Sequence, residues 1–98
     1  MTIEIKKNQS ETTIEIVGRL DTITAPALDK TINEDMGDTQ NLVLDLKGVE
    51  YISSAGLRVF LGAQKKMQKI GSMKVTNVRE EVMEVFEMPG FADILTIE

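Results

Sequence analysis

Two adjacent serines carry most of the chemistry this chain can offer. Ser53 and Ser54 lie in the run Tyr51-Ile52-Ser53-Ser54-Ala55-Gly56-Leu57-Arg58, between an alternating apolar stretch and a helical pattern. The first N–H groups of a helix have no partners inside it, and the aligned peptide dipoles make that end electropositive. A hydroxyl placed there can cap the helix, and a phosphoryl group attached there is held by the same donors. Capping and phosphoryl acceptance are therefore the two chemistries open to this pair. Gly56 adds room for a close backbone approach, which is weak information by itself.

Composition removes most alternatives. The 98 residues include no cysteine and no histidine, so no disulfide, Cys or His zinc site, Cys nucleophile or Ser-His-Asp triad can be built within the chain. The Asp and Glu residues are scattered without metal-ligand spacing, and no Gly-x-x-x-x-Gly-Lys-Ser/Thr loop is present. Catalytic side chains form no recognisable set, so neither enzyme activity nor a cofactor is expected. Eleven Lys+Arg against 16 Asp+Glu give a net charge of −5, which argues against nucleic acid and against an anionic membrane surface as partners. The N-terminus lacks a signal-peptide pattern and no apolar run reaches membrane-spanning length, so a soluble cytoplasmic protein is expected.

The elements that must position the serines follow from periodicity. Ile3 and Ile5, then Ile14 and Ile16, alternate with polar residues and predict two strands forming an antiparallel hairpin, the second ending at Gly18. Thr24 before Pro26 predicts a helix start, with Leu28, Ile32 and Met36 on one face and Gly37 as the stop. Leu42 to Leu46 reads as a third strand, about Ser54 to Ile70 as a long helix closed by Gly71, and Met73 with Val75 as a fourth strand. A helix over about Arg79 to Glu87 carries Val82, Val85 and Phe86 on one face and stops at Pro89-Gly90. Phe91 to Glu98 gives a last turn or edge strand.

Helices between strands imply parallel neighbours with right-handed crossovers. Continuous apolar runs would mark a sheet covered on both faces, whereas these strands alternate. The expected fold is one α/β domain over residues 1–98. Its four-to-five-stranded, mostly parallel sheet has an N-terminal antiparallel hairpin strand and helices mainly on one face, the other being wet.

At 100° per residue, Leu57, Phe60, Leu61 and Met67 share the centre of one face of the long helix, and Val59, Ala63 and Ile70 widen it. That width is explained by burial between neighbouring helices or by a partner interface beside the serines. Arg58, Lys65 and Lys69 form a cationic strip on the remaining face, as a solvated face or as a contact for an acidic partner. Met67, Met83 and Met88 read as adaptable core filler.

The stretch from Leu44 to Leu57, Leu-Asp-Leu-Lys-Gly-Val-Glu-Tyr-Ile-Ser-Ser-Ala-Gly-Leu, resembles the signature of STAS domains, and more narrowly that of bacterial anti-sigma factor antagonists. Gly18-Arg19-Leu20-Asp21 is similar to the family's Gly-x-Leu-Asp turn, and Phe86-Glu87-Met88-Pro89-Gly90-Phe91 to its C-terminal segment. The resemblance implies a protein that binds an anti-sigma factor that is also a serine kinase, so that a sigma factor is released. It implies phosphorylation at Ser54, which ends the interaction, and a serine phosphatase that restores it. The family position before the acceptor is often aspartate; Ser53 stands there and is the alternative acceptor. Asp21 matches an acidic residue near that turn, as a contact or simply a turn or cap. The implied partner-binding residues are Asp21, Ser53, Ser54, Ala55, Gly56, Leu57 and Arg58, in a protein expected to be a monomer when free. Two other readings stay open: a STAS scaffold or subunit of another system, such as lipid transport or a stressosome-like assembly, and a small nucleotide-binding module.

Overall fold

The computed structural model describes residues 1–34, 37–87 and 95–98. Its elements run β1 (Thr2–Asn8), β2 (Glu11–Leu20), α1 (Ala25–Glu34), β3 (Asn41–Ile52), α2 (Ser54–Ile70), β4 (Ser72–Thr76) and α3 (Glu80–Phe86). The sheet order is β1-β2-β3-β4, with β1 and β2 antiparallel and both later pairings parallel. This is the α/β arrangement that the alternation predicts. Met36, Met88 and the expected stop at Pro89-Gly90 lie outside the described residues, as does 91–94 of the tail. The described tail meets β4 through a bridge between Val75 and Ile97.

Each parallel strand turns one side toward the helices. Ile14, Ile16 and Leu20 of β2 pack with Leu42, Leu44 and Leu46 of β3 and Val75 of β4, all fully or almost fully buried. Leu28 and Ile32 of α1, Leu57, Phe60 and Met67 of α2, and Val82 and Phe86 of α3 close the core from above. Phe60 and Phe86 stack with ring centres 5.8 Å apart, tying α2 to α3. The other side is polar: Lys6 pairs with Glu15 at 2.7 Å, and Asp45 accepts a bond from Asn77. Ile3 and Ile5 face the helix side opposite Ile16 and Ile14, but at the sheet edge Ile5 is exposed.

β3 is longer than its alternation suggests, and the register explains why. Glu15 pairs with Asp45 but Val17 with Gly48, and Gly18 pairs with Val49 but Arg19 with Tyr51, so β3 carries an extra residue at each of two bulges. Its inward residues are therefore Leu42, Leu44, Leu46, Val49 and Ile52, two steps of two followed by two of three. Period-2 reading stops at Leu46 because the pleat is interrupted there.

α2 buries Gly56, Leu57, Phe60, Ala63, Gln64 and Met67, with Val59 and Leu61 partly covered and Ile70 exposed. Most of the wide apolar arc thus belongs to the core. Lys66 reaches across to the Ile32 carbonyl near the end of α1, while Arg58, Lys65 and Lys69 are exposed. Gly71 closes the helix for a tertiary reason: a β-carbon there would fall onto the Gln40 carbonyl oxygen, which accepts the Ser72 N–H. Replacing it by alanine must displace backbone rather than a flexible side chain. Gly71→Ala is therefore expected to destabilise the protein by about 1–3 kcal/mol or more, read as a lower urea midpoint; an unchanged midpoint would show that the β3–β4 connection yields freely.

Candidate functional site

Two loops leave the sheet side by side because β2 and β3 run parallel and end in register at Leu20 and Ile52. The Ser53 N–H donates to the Leu20 carbonyl at 2.9 Å, joining the loops one residue past that pair. From one loop the chain enters α1 through Asp21-Thr22-Ile23-Thr24; from the other it enters α2 directly.

The first loop is a locked turn. Oδ1 of Asp21 accepts the N–H groups of Ile23 and Thr24, each at 3.0 Å, and the Asp21 N–H donates to Oγ1 of Thr24 at 2.8 Å. This is a reciprocal capping box, with the Thr24 hydroxyl donating onward to the Arg19 carbonyl at 2.8 Å. The Asp21 carbonyl accepts the Ala25 N–H, so the helical turn begins at Asp21 rather than at the expected Thr24 cap. The Thr24 N–H holds the Asp21 carboxyl below its ordinary value against the opposing effect of burial; the Thr24 hydroxyl, the Ile23 N–H and the Arg19 charge add to the lowering. Arg19 lies 4.3 Å over the Tyr51 ring on the adjoining strand.

The second loop separates the serines. Ser53 is the N-cap of α2, with extended backbone (φ −98°, ψ 175°), and its carbonyl accepts the Leu57 N–H. It makes no side-chain cap bond; its Oγ is buried and has no partner among the described residues. Ser54, the first helical residue, is exposed. Neither serine is a side-chain cap, in contrast to the simpler of the two sequence readings. Gly56 and Leu57, counted with the partner-binding stretch, face inward: both are buried. Ser54, Ala55 and Arg58 are left to form the surface. Gly56 is needed for space, since a β-carbon there would sit 2.8 Å from Cγ1 of Ile52 and 2.9 Å from Cγ of Leu20. The helix start is thereby seated directly on the strand ends.

Between α1 and the start of α2 runs an open groove of about 320 Å³, lined by Thr22, Ala25, Pro26 and Asp29 on one side and Ala55, Arg58 and Val59 on the other. Ile23, at the crest of the capped turn, is 87% exposed. Sequence reasoning passed over Ile23, because isolated apolar residues in turns carry no periodic signal. It also passed over Gln64, which lies within the apolar arc of α2 and is buried with Oε1 unpartnered among the described residues. No cluster of acidic side chains with metal-binding geometry occurs among the described residues, and none of the described helices is long and apolar enough to cross a membrane.

Comparison with known proteins places this geometry in a family. Residues 2–98 match the STAS domain. The anti-sigma-B factor antagonist of Bacillus subtilis is 32% identical over 96 residues, spanning 97% of this chain and 88% of that protein. Among solved structures, an anti-sigma factor antagonist from Mycobacterium paratuberculosis superposes with a TM-score of 0.88 at 24% identity, covering 98% of this chain and 83% of that one. The Bacillus cell fate determinant SpoIIAA in its phosphorylated form superposes with a TM-score of 0.76 at 15% identity, covering 99% and 91%. The chain therefore belongs to the STAS-domain family, among the anti-sigma factor antagonists.

Two outcomes test this geometry. Gly56→Val places a branched side chain against Ile52 and Leu20 and should cost about 1–3 kcal/mol, measured by denaturant unfolding; no loss of stability would mean that α2 is not pinned to the strand ends. Asp21→Asn addresses the carboxylate. A lowered folded-state pKa means that the charged form contributes stability above the unfolded value near 4, lost as pH falls through the still lower folded value. The stability difference between the native chain and Asp21→Asn should accordingly be constant near neutrality and shrink below about pH 4. A difference independent of pH would show that the carboxylate charge does not stabilise the turn.

Proposed function

We propose that this protein is an anti-sigma factor antagonist that docks an anti-sigma factor with serine kinase activity through the surface around Ser54, and so frees a sigma factor. Phosphorylation of Ser54 ends the docking and a serine phosphatase restores it. The role is one of regulated binding rather than catalysis. The observation that carries the reading is the contrast between the two hydroxyls: Ser54 is exposed beside the groove, whereas the Ser53 oxygen is buried. A kinase needs an acceptor it can reach, which favours Ser54 over its neighbour. Its relatives' role supports the partner class, and the fold it shares with phosphorylated SpoIIAA is compatible with modification.

Physical chemistry explains why one phosphate would suffice. A phosphoserine adds about −1.5 to −2 charges and strong acceptor oxygens. The first turn of α2 has no acidic side chain and no side-chain cap, so the phosphate adjoins backbone donors and a favourable dipole. The fold tolerates it, and the cost falls on the partner: bulk, desolvation and repulsion from any carboxylate opposite. Ala55 and Arg58, both on α2 with the acceptor, line the groove, and Asp21 opens the neighbouring loop.

Incubation with ATP and candidate serine kinases, followed by mass-spectrometric localisation, should place the phosphate on Ser54 and leave Ser53 unmodified. Ser54→Ala should bind the partner normally and resist modification, whereas phosphorylated Ser54 should weaken binding several hundred-fold, about 3–4 kcal/mol, with Ser54→Asp giving part of that loss. Modification at Ser53 alone, or undiminished binding of the phosphorylated protein, would overturn the assignment.

A further inference from the structure

The groove beside Ser54 holds an exposed cation that the structure has not committed. Arg58 is the sole charged side chain between Ser54 and Gln64, and it takes part in none of the ion pairs found among the described residues. Asp29 of α1 lines the same groove without reaching salt-bridge distance of it. Residues four apart on a helix are surface neighbours, with β-carbons about 5–6 Å apart. Every Cα–Cβ bond also tilts toward the helix N-terminus, so the long side chain of residue 58 leans back over the turn that carries Ser54.

We propose that Arg58 is the internal counter-ion of a phosphoryl group on Ser54, so that modification draws its guanidinium off the groove and onto the phosphate. The proposal rests on Ser54 being the acceptor, and adds how the docking surface changes when it is used. An anion followed four residues later by a cation is the favourable order along a helix, and guanidinium matches phosphate oxygens in a bidentate fork. The acids on the α1 side of the groove are weaker competitors. Asp29 offers one negative charge against about −1.5 to −2 for the phosphate, and Asp21 is already engaged by the Ile23 and Thr24 N–H groups. Before modification the groove presents Arg58 and Asp29 together, a balanced pair. Afterwards Arg58 is occupied and Asp29 faces the partner uncompensated. A partner carboxylate that would have met Arg58 then meets negative charge instead.

The test uses the full chain with phosphoserine inserted at position 54 during translation, so no kinase is needed. Phosphorus NMR follows the second ionisation of the phosphate against pH. Arg58→Gln should raise that midpoint by about 0.2–0.4 pH units. Arg58→Lys should recover part of the difference, and about 1 M salt should shrink it. Arg58 is exposed, so neither replacement disturbs the core. Equal midpoints with Arg58 and with Gln would overturn the counter-ion, even if phosphoserine abolishes docking. Undiminished docking of the phosphoserine protein would instead overturn the switch, whatever the midpoints are.

Discussion

The parallel pairing of β2 with β3, ending at Leu20 and Ile52, is the constraint on which the site depends. Parallel strands send their chains out of the sheet at the same end, so Asp21 and Ser53 begin their loops as neighbours although 32 positions apart in the chain. The bond from the Ser53 N–H to the Leu20 carbonyl holds this arrangement, and Gly56 lets α2 settle onto the same two residues. A larger residue at 56 would lift the helix and move Ser54 with it. The position of Ser54 is thus decided by packing beneath it, through residues that never touch the surface.

Rigidity around the serines suits a switch that works by charge. The Asp21-to-Thr24 turn is closed on itself by reciprocal hydrogen bonds, and the start of α2 is seated on the core. Neither element requires movement to display or withdraw a docking surface. A phosphate on Ser54 would change the electrostatics of the groove directly, and the proposed pairing with Arg58 would give the charge a local destination. Energy spent on reorganisation would only subtract from the change in affinity, so a prearranged surface makes the most of a single modification.

Exposed and buried polar groups divide the work. Along the open side of the sheet, Lys6 with Glu15, Asp45 with Asn77 and Lys74 with Glu98 satisfy one another in contact with solvent. Such pairs contribute little stability and keep the open side polar. The buried Gln64 and the inward Ser53 hydroxyl are different: they sit against the core with an oxygen unpartnered among the described residues. Their placement marks α2 as a helix packed more tightly than its polar sequence positions suggest.

Strand alternation and helical periodicity in the sequence were enough to determine the order of strands and helices, the limits of α2, the polar side of the sheet and the presence of two hydroxyls at a helix start. These are local properties, set by side-chain period and by orphan N–H groups within a few residues. The length of β3 was not legible, because its two bulges arise from pairing with β2 and break the pattern after Leu46. Nor was the difference between Ser53 and Ser54, whose residue types are identical. Only the seating of α2 on Leu20 and Ile52 turns one hydroxyl inward and leaves the other in solvent, since exposure is a property of what packs around a residue and not of its neighbours in the chain.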